Sequence, residues 1–162
     1  MLQAQRFAFI GSGAMGEAMI KGLITQAALP PQQIIASDTR PERGVELAQK
    51  YGVQHTTDNL VAVNGATIIV LSVKPQVLHD VLKQLAGHVA PEALVLSIVA
   101  GARTEVITNL LRHNAVARSM PNTPAKARCG MNKTAAMTAT TTMKPDMKRK
   151  VPTRARSNMP FS

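Results

Sequence analysis

The stretch "FIGSGAMGEAMIKG", residues 9–22, sets Gly11, Gly13 and Gly16 in the spacing G-x-G-x-x-G between an apolar run and a segment of helical character. Each glycine has a different task in a strand-to-helix turn of this kind. The first permits the tight turn, the second lets a diphosphate approach the backbone, and the third lets helix pack closely on strand. The start of the helix adds unpaired N–H groups and the positive end of its dipole. A packing turn alone can show the same three glycines, so the surrounding pattern has to decide.

From residue 6 to residue 119 that pattern alternates short apolar runs with longer stretches of helical period, the signature of stacked βαβ units. Strands are expected at "RFAFI" (6–10), "QIIAS" (33–37), weakly near "VQH" (53–55), and at "ATIIVLS" (66–72), "ALVLSIV" (93–99) and "AVARSM" (115–120). Helices are expected at "AMGEAMIKGLITQ", "PERGVELAQKYG", "TDNLVAVNG", "PQVLHDVLKQLAGH" and "TEVITNLLRH". In the fourth, Val77, Leu78, Val81, Leu82 and Leu85 are expected to share one face. Pro41 and Pro75 suit first turns, and Gly52 and Gly65 stand where helices stop. Right-handed crossovers then predict an α/β fold of Rossmann type: a doubly wound, mainly parallel sheet of about six strands, in the order 3-2-1-4-5-6.

The glycine loop read in this setting predicts dinucleotide binding. Asp38 lies 27 positions beyond Gly11, where it can accept from a ribose 2′-OH and favour NAD. Arg40 and Arg43, in "SDTRPER", can instead clamp a 2′-phosphate and favour NADP. Asp38 and Thr39 also suit the start of the helix near Pro41. The choice of cofactor stays open at this point.

A doubly wound sheet binds its ligand beyond the carboxyl ends of its strands. "SVKPQ" (72–76), "VAGA" (99–102) and "SMPNTPA" (119–125) should therefore face one crevice with the glycine loop. Lys74 offers a cation for phosphate, ribose or a substrate carboxylate. Ala100 and Gly101 leave room for a nicotinamide ring. Asn122, between two prolines, can both donate and accept, which suits orienting the substrate or the nicotinamide, and the same loop equally suits a turn leaving the domain.

Other chemistries find little support. His55, His79, His88 and His113 are spread without ligand spacing, and Cys129 is the one cysteine, so neither a metal site nor an intrachain disulfide is expected. No G-x-S-x-G elbow or P-loop lysine occurs, and hydride transfer needs no protein nucleophile. No charged leader precedes a long apolar run, and no apolar run approaches the ~18 residues of a membrane span, so a cytoplasmic protein away from membranes is expected.

The 162 residues carry a formal charge of +10. Residues 1–125 hold 10 Lys and Arg against 8 Asp and Glu, whereas residues 126–162 hold 9 against 1. The basicity thus belongs to the end of the chain, which lacks sustained apolar period and is read as a disordered tail. Its single aromatic, Phe161, gives no stacking platform, so specific nucleic-acid binding is not expected. With three phenylalanines and one tyrosine in the whole chain, the core has to be built from aliphatics.

Taken together, "FIGSGAMGEAMIKGL", "LSVKPQ", "LSIVAGA" and "RSMPNTPA" resemble, in order and spacing, the N-terminal domain of the pyrroline-5-carboxylate reductases. The resemblance covers residues 6–125. It implies reduction of the imine 1-pyrroline-5-carboxylate to L-proline, the last step of proline biosynthesis, with hydride from NADPH or, in some members, NADH. Carried over by position, the family's cofactor contacts fall on Gly11, Ser12, Gly13, Ala14, Met15 and Gly16, on Asp38 and Arg40, on Asn59, on Ser72, Val73 and Lys74, and on Ala100. The catalytic residue is left unassigned. Members continue into an all-helical domain that makes the dimer and most substrate contacts, and nothing after Ala125 resembles it. The expectation is therefore a cofactor domain at 1–125 and a tail at 126–162, in a truncated or frameshifted member. The alternatives are a non-catalytic NAD(P)-binding module and a reductase of the β-hydroxyacid dehydrogenase type.

Overall fold

The computed structural model describes residues 5–120. The expectations on Asn122, on Cys129 and on the tail fall outside them. Six strands form one parallel sheet: β1 (Phe7–Ile10), β2 (Ile34–Ser37), β3 (Gln54–Thr56), β4 (Ile68–Leu71), β5 (Leu94–Ser97) and β6 (Val116–Arg118), in the order β3-β2-β1-β4-β5-β6. Five helices connect them: α1 (Ala14–Thr25), α2 (Pro41–Tyr51), α3 (Asn59–Val63), α4 (Pro75–Leu85) and α5 (Thr104–Leu111). A 3₁₀ turn at Pro31–Gln33, which the sequence pattern did not announce, leads into β2.

The alternation of side chains along a strand builds two cores from one sheet. Ala8 and Ile10 of β1, with Ile69 and Leu71 of β4 and Val95 of β5, pack against α3, α4 and α5. Phe7, Phe9, Ala36 and Val70 pack the other way, against Ile20 of α1 and Leu47 of α2. All four residues of β1 are buried, as expected of a central strand covered on both faces. Two of the few aromatics, Phe7 and Phe9, thus join an otherwise largely aliphatic interior.

The helices start and stop for local reasons. Pro41 and Pro75 open α2 and α4, where the missing N–H has no helical partner to lose. Gly52 closes α2 in the left-handed region at φ 73°, returning its N–H to the Ala48 carbonyl. Asp58 caps α3 by accepting from Leu60 N–H at 2.8 Å. On α4, Leu78, Leu82 and Leu85 are buried, Val81 is half-buried, and Val77 is exposed. The shared face is therefore narrower than expected: Val77 sits a helical step of about 100° from Leu78, which takes it off the stripe.

Because every strand runs the same way, the segments after β1, β2, β4, β5 and β6 emerge at one edge of the sheet. The glycine loop, Asp38, Ser72–Lys74, Ala100 and Ser119 all follow directly from those strand ends.

Candidate functional site

The three glycines of the loop meet three different surroundings. Gly11 has φ +88°, and a Cβ there would stand 2.9 Å from the Ser72 carbonyl oxygen and 2.9 Å from Val73 Cγ1. Both backbone and space thus demand glycine, at the point where the chain leaves β1 beside the end of β4. A Cβ on Gly16 would lie 2.9 Å from the Gly11 carbonyl oxygen and 3.1 Å from Ser72 Oγ, so α1 approaches the turn as closely as backbone allows. At Gly13 a Cβ would meet nothing within 4 Å. Its glycine answers no internal contact, and the open space lies at the mouth of α1, whose first N–H groups have no helical acceptor.

Ser12 is fully buried and held from three sides. Its hydroxyl donates to the Ser37 carbonyl at 3.1 Å, its N–H donates to Asp38 Oδ2 at 3.2 Å, and its carbonyl accepts from Arg43 Nε at 3.0 Å. Ser72 completes the frame from β4: its hydroxyl donates to the Gly11 carbonyl, and its N–H to that of Ile10 at 2.9 Å. Ser12, within the glycine loop, and Ser72, at the start of the segment expected to face the same crevice, thus hold the loop in shape, and Val73 Cγ1 lies against Gly11. Ala14 is exposed and Met15 half-buried in the first turn of α1.

Asp38 sits at the end of β2 with both oxygens engaged. Oδ1 accepts from the Arg40 N–H and from Arg40 Nε, each at 3.1 Å, and Oδ2 takes the Ser12 N–H. Burial works against its charge, yet the Arg40 guanidinium, the Arg40 N–H and the Ser12 N–H together hold the carboxyl below its ordinary value. The Arg40 side chain is 59% exposed against 10% for Asp38, so the arginine covers the acid and faces outward. Asp38 therefore shapes the turn into α2 by accepting from the Arg40 N–H, although the helix cap itself is Arg40 and neither Asp38 nor Thr39 caps it, and it ties that turn to the glycine loop.

Arg43 behaves otherwise. Only 13% exposed, it pairs with Glu17 of α1 and with Glu46 one turn along α2, besides holding the Ser12 carbonyl. Of the two arginines weighed for a 2′-phosphate, Arg40 alone turns to solvent. Glu17 also accepts from Lys50 Nζ at 2.7 Å and Tyr51 Oη at 2.9 Å. The Lys50 ammonium, followed by Arg43 and Tyr51, pulls the Glu17 carboxyl down to about 2. No sequence signal pointed to the Glu17 contacts, because they join two helices at separations of 26, 33 and 34 residues; only Arg43–Glu46 has a helical spacing.

Asn59, at the start of α3, accepts from Ser37 Oγ at 2.7 Å and donates to Gln84 at 2.8 Å. It joins the end of β2 to α3 and α4, one residue from Asp38 through Ser37. Lys74 is exposed and makes no ion pair among the described residues. Ala100 and Gly101 are exposed in the turn after β5. His113 is buried, its Nε2 2.6 Å from the Ala93 carbonyl, a structural position. Among the described residues no three His, Cys, Asp or Glu side chains gather as a metal-binding group, and no helix is long and apolar enough to cross a membrane.

The fold and the sequence both have counterparts in known proteins. Residues 6–101 match the family described as NADP oxidoreductase coenzyme F420-dependent. The chain belongs to this family. As an NADP oxidoreductase family member it also bears out the resemblance carried by its motifs. It is 40% identical over 127 residues to a pyrroline-5-carboxylate reductase of Synechocystis sp., a match covering 78% of this chain and 47% of that protein. A pyrroline-5-carboxylate reductase structure from Coxiella burnetii superposes with a TM-score of 0.70 at 30% identity, over 74% of this chain and 45% of that one. That of Plasmodium falciparum pyrroline carboxylate reductase with NADP bound shares the fold, with a TM-score of 0.64 at 20% identity over 74% and 43% of the two chains. The chain spans about half the length of the relatives it matches.

Proposed function

We propose that residues 1–125 are the cofactor domain of a pyrroline-5-carboxylate reductase, binding NADP(H) and, less favourably, NAD(H). In this reading the whole protein reduces the imine 1-pyrroline-5-carboxylate to L-proline in the cytoplasm. The observation that carries the proposal is the glycine loop itself: Gly11 and Gly16 are glycine because the fold leaves no room, whereas Gly13 faces open space at the mouth of α1. A diphosphate laid there meets helix N–H groups and a favourable dipole. The relatives' names and the family description supply the reaction.

The bound dihydronicotinamide supplies the hydride. The chain's own groups bind and orient it. The α1 N–H groups from Gly13 onward take the diphosphate, Arg40 takes a 2′-phosphate, Asp38 and Asn59 fix the adenosine side through the end of β2, and Lys74 and Ala100 border the nicotinamide side. Asn122 is assigned to the substrate's vicinity. Residues 126–162 are assigned no part in the site and no specific nucleic acid, and oligomerisation is assigned to the helical domain of the family.

Titration of the purified chain with NADPH and NADH, followed by cofactor fluorescence, tests the proposal. Saturable binding that Gly13→Trp abolishes in a folded protein is the expected result. A folded chain that binds neither cofactor overturns it.

A further inference from the structure

Arg43 was a candidate for cofactor phosphate in the sequence, yet its guanidinium is spent inside the protein. Nε donates to the Ser12 carbonyl at 3.0 Å, one terminal nitrogen pairs with Glu46 at 2.6 Å, and the other with Glu17. Glu17 in turn is held by Lys50 and Tyr51 from the far end of α2. The planar guanidinium is thereby fixed in one orientation, and the atom it presents to the loop is a single N–H aimed at one carbonyl.

That carbonyl governs its neighbour. The peptide joining Ser12 to Gly13 is trans, so its C=O and N–H point in opposite directions. Drawing the Ser12 oxygen toward α2 turns the Gly13 N–H away from α2. The remaining polar groups of Ser12 are fixed by Ser37 and Asp38, which leaves this peptide plane one hydrogen-bonded setting. The same guanidinium, through its separate pairing with Glu17, offsets a carboxylate that stands in the first turn of α1 and would otherwise oppose an anion there.

We infer that Arg43 is a positioning residue for the glycine loop: through the Ser12 carbonyl it orients the Gly13 N–H for the cofactor's diphosphate and makes no contact with the cofactor itself. The inference rests on the proposed cofactor site. It predicts that Arg43 matters to ligands that carry a 5′-diphosphate and not to those that bind through the 2′-phosphate alone.

The experiment compares Arg43→Met, Arg43→Lys and Glu17→Gln with the wild-type full chain, measuring Kd for NADPH and for 2′-AMP by calorimetry and Tm by calorimetric scan. Arg43→Met should weaken NADPH by about tenfold or more, the scale of a hydrogen bond to a charged group, while 2′-AMP changes less than about twofold. Arg43→Lys keeps the charge but not the fork and should weaken NADPH nearly as much. Glu17→Gln, which loosens the guanidinium without removing it, should show a smaller loss in the same direction. A merely structural arginine would lower Tm and weaken both ligands together, which overturns the inference. So does Arg43→Lys binding NADPH like wild type, since charge alone would then suffice. If Arg43→Met does not fold, Arg43→Lys and Glu17→Gln decide by the same ratio of Kd values. A folded wild-type chain that binds no NADPH refutes the cofactor site itself, whereas wild-type binding unchanged in the variants refutes the role of Arg43 alone.

Discussion

Arg40 lies across Asp38, with Nε and the backbone N–H each 3.1 Å from Oδ1. The pair combines the two opposing signals that the sequence placed at the end of the second strand: an acid suited to a ribose hydroxyl and a cation suited to a 2′-phosphate. Because the arginine faces solvent and the acid lies beneath it, the outward charge at this point is positive. Asp38 is also engaged by Ser12 through Oδ2, which holds the carboxylate in place beneath the arginine.

Removing Arg40 should therefore invert the preference. Arg40→Ala leaves the Asp38 carboxylate uncovered, where it repels a 2′-phosphate and can accept from a 2′-hydroxyl. We expect NADPH binding to weaken by about tenfold or more while NADH binding holds or improves. The ratio of the two Kd values, measured by fluorescence titration, reads this directly. An unchanged ratio would place the 2′-phosphate elsewhere.

The glycines of the loop should separate stability from binding. Gly16→Ala puts a Cβ against backbone at Gly11, which cannot move without disturbing β1, and is expected to cost about 1–3 kcal/mol in urea unfolding. Gly13→Ala meets open space in extended backbone at φ −64° and should shift stability by no more than about 0.5 kcal/mol. Its effect should appear in cofactor affinity instead.

The sheet was legible because its physics is local. Apolar runs of four or five residues separated by helical periods leave few arrangements, and right-handed crossovers leave fewer. Strand ends were overdrawn by a residue or two, as at 66–72 against Ile68–Leu71, where Thr67 and Ser72 still bond to neighbouring strands through their backbones just outside the assigned strand. The turn at the glycine loop was legible for a related reason: Gly11 and Gly16 record where the fold leaves no room for a Cβ, whereas Gly13 answers no such contact. What the sequence did not disclose is which polar groups the fold uses up. Arg40 and Arg43 look equivalent three residues apart, yet one helical turn and the presence of Glu17 on a different helix make one a surface cation and the other a brace. Asn59 likewise had no signal beyond lying in a first turn, since its partners Ser37 and Gln84 are 22 and 25 residues distant.

The core on the α4 side gives a control at a residue that is not itself assigned to the site. Leu82 is fully buried between α4 and the sheet, among Leu78, Leu85 and the β4 side chains. Leu82→Ala should destabilise the domain by about 2–5 kcal/mol through lost burial and the cavity left behind. Cofactor affinity of the fraction that remains folded should be unaltered, as judged by Kd under native conditions. A change in affinity would mean that this core sets the loop at the sheet edge.

Glu17 makes the brace between α1 and α2 sensitive to acid in a predictable window. Its carboxyl lies at about 2 in the folded chain against an ordinary 4.5, so the unfolded chain takes up a proton first as pH falls. The stability contributed by its contacts with Lys50, Arg43 and Tyr51 is thus fully present above about pH 4.5, declines as the pH drops below that, and is gone once the folded carboxyl is itself protonated near pH 2. Glu17→Gln keeps the shape and removes the titration. The difference in Tm between wild type and Glu17→Gln should be constant from pH 7 to about 5, shrink steadily between about 4.5 and 2, and approach a floor there. A difference independent of pH across that range would show that the three donors hold Glu17 no better than water does.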